Sequence, residues 1–414
     1  MKKVSSAAIV VALVLGLGGV GVAAPAFAKK EEAPKGPNLS PAVRTPAIAA
    51  QKALAATPRD LAGAEAALAQ MDAAKKNDDE KYIADAIRLS IQNTKLGELP
   101  EAQRNYTDEA ATLDSLIANP STPKTDIGRF SYARAGLAYN VRQFDVASTM
   151  FARARDAGYQ DPLLLINLAQ AEMNTKNIAA GSADMTAAIK GEEAAGRKAP
   201  ESWYRFMISR LYHANDADNT LVWTRAWLAS YGTKENWRDA IIAFGFQGPG
   251  SKRLTDRNLV DLYRLMHATH SLGGQKEVLD YAAAALKIGL PGEAKAAIDE
   301  ARTAGTIPAG NVTAADYYSQ AKAGVAGDKG SSTAIGSGDL ALGARDYAKA
   351  AEKYRLALTQ GATDADTVNL HLGIALAMSG DKGGAQTAFG AVKSGANLDI
   401  AKLWTTYVLT PPTA

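Results

Sequence analysis

The chain has 414 residues, with 46 Lys and Arg against 43 Asp and Glu, a formal net charge of +3 and no cysteine. Charge this balanced gives no electrostatic footprint for nucleic acid, and the lack of cysteine excludes disulfides, a thiol nucleophile and thiolate metal sites. Four histidines are all that remain for imidazole chemistry, so no cofactor or metal is expected.

Met1-Lys2-Lys3 is followed by an uncharged run that ends Ala26-Phe27-Ala28. A positive start, an apolar core and a small-x-small end read as a secretory signal peptide over 1–28, with a bacterial periplasm as the destination. The run is long enough to span a bilayer. Gly16, Gly18, Gly19, Gly21 and Pro25 weaken it as a spanning helix, so no stable membrane span is expected once it is cleaved. Losing Lys2 and Lys3 lowers the net charge from +3 to +1. Residues 29–46 are charged and Pro-rich without periodicity, which reads as a disordered leader.

Residues 47–192 show helices in pairs. Asp60 is placed to cap a helix carrying Ala64, Leu68 and Met71, and Asn77-Asp78-Asp79 opens one striped by Ile83, Ile87 and Ile91. Pro100 is expected to open the next helix, to about Ala118. Two regular pairs follow, one with Ala135, Phe144, Ala147, Phe151 and Ala154. The other has Ala169, Ile178, Gly181, Met185 and Ala188. Residues 193–275 keep the period loosely and replace small residues with Trp203, Trp223, Trp227 and Trp237. Expected hairpins there include Trp237–Phe246 with Thr255–Ser271. Residues 276–333 hold one more helical repeat and a linker, with Thr313 expected to cap a helix to about Ala326. Residues 334–395 hold two copies of one pattern: Tyr347, Ala350, Tyr354, Ala357, then Lys382, Ala385, Phe389, Val392. Gly338 and Gly373 each stand twelve positions before the anchor alanine. Residues 396–414 read as a capping helix and tail.

A small residue, a helix-length gap, then small–large–small at helical spacing describes antiparallel helices crossing where only Gly or Ala fits. Such a hairpin leaves an apolar face that a neighbouring hairpin must cover, so a period near 34 residues implies stacking. At these residues the chain resembles the tetratricopeptide repeat family, most specifically over 126–192 and 334–393. The resemblance implies an all-α fold, an α-solenoid wound as a right-handed superhelix. It further implies a non-catalytic scaffold that holds a protein or extended peptide in its concave groove.

In that family the exposed stripe lies on the first helix of each hairpin, beside the small packing residue. Carried onto this chain, it gives Arg129, Tyr132, Tyr139 and Asn140 on one helix, and Ile166, Asn167, Gln170, Met173 and Asn174 on the next. Some members clamp a terminal carboxylate with Lys and Asn here; the matching positions are Tyr132 and Gly136, or Ile335 and Asp339, so that clamp is missing. Other groups compete as sites. His267 and His270 are three apart on a helix, with Asp261 and Asp280 near, but lack the usual zinc spacing. Asn215–Asn219 fails the calcium-loop pattern at Leu221 and Trp227 and reads as a capping turn. Trp223, Trp227 and Trp237 read as core, or else as a platform for an envelope glycan. An enzyme of glycan metabolism would need carboxylates converging near Asp216, Asp218 and His213. The Asn311-Val312-Thr313 triplet reads as a chance match in a loop.

Overall fold

The computed structural model describes residues 36–248, 251–327 and 330–412; the expected signal peptide lies outside them. Among the described residues the chain is all-α, with twenty α-helices and no strand. It divides into two compact units, one up to Ala199 and one from Pro200.

The first unit holds α1 Pro41–Ala55, α2 Leu61–Ala74, α3 Asp78–Glu98, α4 Thr107–Ala118, α5 Lys124–Asn140, α6 Phe144–Asp156, α7 Leu164–Asn174 and α8 Ile178–Ala194. Each packs on the next along the chain. The ends follow local chemistry. Asp60 accepts from the Gly63 N–H, as expected, and Asn77 and Glu80 form a reciprocal capping box at α3. The order begins earlier than the composition implied. Leu39 and Val43 are buried, Pro41 occupies a first-turn position that needs no N–H, and the Ser40 N–H donates to Glu80 at 2.9 Å. The Ser40 side chain, then that bond and one from the Lys76 N–H, hold the Glu80 carboxyl down to about 2. Residues 41–46 therefore belong to the first helix, not to a leader. Pro100 opens only a short 3-10 turn, Glu101–Gln103, and α4 starts at Thr107, where the Asn105 side chain accepts the Thr107 N–H at 3.0 Å.

The second unit holds α9 Glu201–His213, α10 Ala217–Tyr231, α11 Lys234–Ile242, α12 Asp256–Ala268, α13 Gln275–Lys287, α14 Pro291–Thr303, α15 Val312–Gly327, α16 Ala334–Gly343, α17 Tyr347–Thr359, α18 Ala365–Met378, α19 Lys382–Ala391 and α20 Gly395–Leu409. The helix expected to run on to Phe246 stops at Ile242 and widens into a π turn, Ala243–Gln247. Asn311, not Thr313, caps α15, accepting the Ala314 N–H at 2.8 Å.

The small–large crossings are real contacts. A Cβ at Gly338 would stand 2.7 Å from the Tyr354 ring, and one at Gly373 2.4 Å from the Phe389 ring. Both are closer than packed atoms tolerate. Of the four tryptophans of the irregular block, Trp223, Trp227 and Trp237 are buried and Trp203 is half-buried. The last helix does more than cover an end. α20 packs on α18 and α19 and also on α10 and α12, so late and early elements of this unit meet. Polar bonds pin it there, Arg225 to Thr406 at 3.0 Å and Asn258 to Asn397 at 2.7 Å.

Candidate functional site

The stripe expected on the first unit divides in two. Ile166, Asn167 and Met173 are buried, which corrects their assignment to an exposed face. Met173 lies against α8, where a Cβ on Gly181 would meet its Cγ at 2.8 Å. Asn167 donates to the Tyr132 hydroxyl at 3.0 Å, and that hydroxyl donates to Asp161 at 3.1 Å. Rings of Phe151 and Tyr159 stand 5.5 and 5.0 Å from that of Tyr132. Tyr132 thus ties α5 to the start of α7; burial, then Asp161, raises its pKa. A second seam joins α3 to α5 through the Tyr82 hydroxyl on Asp126 at 2.6 Å, and Asp126 also accepts from Arg129 at 2.9 Å. The solvent-accessible remainder is Arg129, Tyr139, Gln170 and Asn174, half-buried, with Asn140 exposed. Tyr139 donates to Gln170 at 3.4 Å, and the Asn174 amide donates to the Gln170 carbonyl at 2.8 Å.

The second unit contains a polar centre that the sequence reading did not assemble. Arg257, Asp261 and Arg264 recur at i, i+4 and i+7 on α12 and so share one face. Arg264 donates to Asp261 at 2.8 Å and makes a two-pronged contact with Glu293 of α14 at 2.7 and 2.6 Å. The Tyr281 hydroxyl of α13 adds a bond of 2.5 Å to Glu293. His371 of α18 is completely buried, its Nε2 3.1 Å from Asp261 and its Nδ1 3.1 Å from Asp339 of α16. Asp339 also accepts from Tyr354 of α17 at 2.8 Å and from Arg257 at 2.7 Å.

With carboxylates at both nitrogens, His371 carries both ring protons. Burial alone would lower its pKa; Asp261 and Asp339 outweigh burial and push it up to about 9. Burial would raise the pKa of Asp339, but His371 and Arg257 hold it well below the usual carboxylate range. Asp261 is likewise lowered against burial, by His371 and then Arg264. Three cations (Arg257, Arg264, His371) therefore face three carboxylates (Asp261, Glu293, Asp339). Compensation and full hydrogen bonding are what a buried charge cluster needs. It binds six helices to one another. A small recess at its edge, lined by Arg264, His267, Tyr281, Glu293, Arg345 and Tyr347, leaves about 20 Å³ open to the centre of a water molecule, room for about one water.

Two signals for this cluster stood in the sequence: the i, i+4, i+7 charges of α12, and Asp339 at the family's clamp position. Neither names a partner more than a hundred residues away, as His371 is from Asp261.

The remaining candidates do not come together. His267 bonds Glu300 at 2.9 Å, whereas His270 sits in the following turn at φ 52°. Asp280 pairs with Lys276 at 2.5 Å. Among the described residues no three of His, Asp or Glu converge as metal ligands. Asp216 caps α10 by accepting the Asn219 N–H at 3.1 Å, Asp218 lies 3.5 Å from Arg253, and His213 bonds the Ser209 carbonyl at 2.7 Å. Trp227 donates to Glu201 at 2.9 Å beneath the Arg205 guanidinium, 4.7 Å from its ring. Among the described residues no helix is long and apolar enough to cross a membrane.

No protein-family model matches the chain, and no curated protein matches it significantly.

Proposed function

We propose that this is a non-catalytic helical-repeat scaffold of tetratricopeptide type, exported to the periplasm, that holds an extended polypeptide on its first unit. In this reading the hairpins of that unit wind as a right-handed solenoid, and α5 and α7 supply the inner wall. The supporting observation is the row Arg129, Tyr139, Asn140, Gln170 and Asn174, which stays solvent-accessible on successive first helices. Long, adaptable and amide side chains of this kind suit an extended backbone. The second unit is a poorer host. Its first-helix face at Asp339 and His371 is turned onto α12 of the same chain, and α20 covers more of it.

No observation favours the glycan readings. The three tryptophan rings are buried, and Asp216, Asp218 and His213 each serve a separate local contact. The test is photo-crosslinking in intact cells. A photoreactive side chain at Asn140 or Asn174 is expected to capture a polypeptide, and one at exposed Glu352 of α17 to capture none. Y139A with Q170A should abolish the capture. Equal capture from Glu352, or capture that survives the double substitution, removes the chosen face.

A further inference from the structure

The seam between α10 and α20 carries charge and apolar surface that the scaffold reading leaves unused. Arg253 reaches Asp218, near the start of α10, at 3.5 Å and Asp399, near the start of α20, at 3.3 Å. Seven residues further along each helix, Arg225 meets Thr406 at 3.0 Å. The two helices therefore run parallel and in step.

The charges along this seam do not balance. Lys402 also pairs with Asp399, at 3.3 Å, so three cations (Arg225, Arg253, Lys402) share two carboxylates (Asp218, Asp399). Arg225 is the one left over. Its Nε donates to the Thr406 hydroxyl, no carboxylate meets it among the described residues, and the rest of its fork is not buried. Arg238, Arg257, Arg264 and Arg345 of the same unit each hold a carboxylate. Burial lowers the pKa of Arg225, with no acid to lift it. A half-buried guanidinium with two free prongs is a seat for a carboxylate.

Large apolar side chains flank it. Val222, three residues before Arg225, is 57% exposed, and Leu409, three after Thr406, is 59% exposed. Helical periodicity turns both to the outer side of the seam. With the helices in step, each lies roughly 4.5 Å from the level of Arg225, at about 1.5 Å per residue. A partner helix reproduces that spacing with apolar residues three before and three after an acid. An extended strand does not, because its same-face residues recur at about 6.6 Å.

We propose that the α10–α20 seam docks an amphipathic helix of a partner protein, which seats a carboxylate on Arg225 and an apolar side chain on each of Val222 and Leu409.

The test uses the full chain with methyl-labelled Val and Leu. The probe is an Ala-rich peptide of about 20 residues, long enough to be helical alone, with a Leu-x2-Glu-x2-Leu row. It is expected to shift the Val222 and Leu409 methyl signals saturably. Replacing the Glu of the peptide by Gln should weaken binding about tenfold, the worth of a charge-assisted bond, and R225Q should do the same. The two changes together should cost no more than either alone. If R225Q fails to fold, the Gln peptide decides alone. Absence of saturable shifts overturns the proposal, as does undiminished binding by the Gln peptide or by R225Q. Inorganic phosphate that binds as tightly as the peptide would reduce the seam to an anion site. Phosphatidylglycerol vesicles that shift both signals where the peptide does not would make it a membrane contact; either result overturns the helix.

Discussion

His371 and Glu109 are buried titrating side chains with opposite surroundings. His371 is held between two carboxylates, so its pKa stands near 9 in the folded chain against 6.5 without that environment. A raised pKa means the proton's contribution to stability is complete below 6.5 and is lost as pH rises through about 9. H371N should lower the unfolding free energy of the second unit by about 3–5 kcal/mol at pH 6, because two carboxylates lose their cation. The gap from the parent should narrow by pH 9.5, as read from urea midpoints at the two pH values. Glu109 of α4 is 3% exposed, and its Oε2 is buried without a hydrogen bond. Burial raises its pKa to about 7 from 4.5, so here too stability is complete below 4.5 and is lost as pH rises through 7. E109Q keeps the shape without the charge. It should match the parent at pH 4.5 and exceed it by about 1–3 kcal/mol at pH 8 in the first unit's unfolding transition.

At the scale of helices, the crossings carry the most direct prediction. G373A puts a methyl where the Phe389 ring already stands, at 2.4 Å, and overpacking of this kind costs about 1–3 kcal/mol. F389L beside it should recover part of the loss, so the double variant melts higher than the two separate losses added together imply. These crossings were readable in advance because a glycine twelve positions from an alanine, and an aromatic four beyond, is local information. The capping residues were readable for the same reason: Asp60 needs only its own helix. Element edges were less so. Pro41 and Pro100 look alike in the sequence, but Leu39 and Val43 have a core to enter beside the first, and a helix forms there at once. After Pro100 the chain makes a 3-10 turn, and the helix waits for Thr107. The stripe on α7 failed in part because its register follows the family's average geometry, whereas α8 comes close enough through Gly181 to take Met173 inward.

For the molecule as a whole, the two units should be separable. Chains of residues 36–199 and 200–412 are each expected to fold alone and unfold cooperatively in circular dichroism, with midpoints that reappear in the full chain. A fragment that stays unfolded would show that the division into units is not thermodynamic. The all-α character was legible from composition and period together. What no period could show is the charge cluster that unites six helices, because it joins α12 to α16 and α18 across most of the second unit. Pairing at such distance leaves no mark on either partner's immediate neighbours in the sequence.

The docking of α20 on α10 and α12 sets an order of events during biosynthesis. A ribosome delivers α10 and α11 long before α20, so Trp237 of α11 and its neighbours must wait for Tyr407 of α20; the rings of Trp237 and Tyr407 finally lie 6.4 Å apart. The first unit has no such debt and can finish as it emerges, whereas the second stays open to chaperones until residue 409 is made.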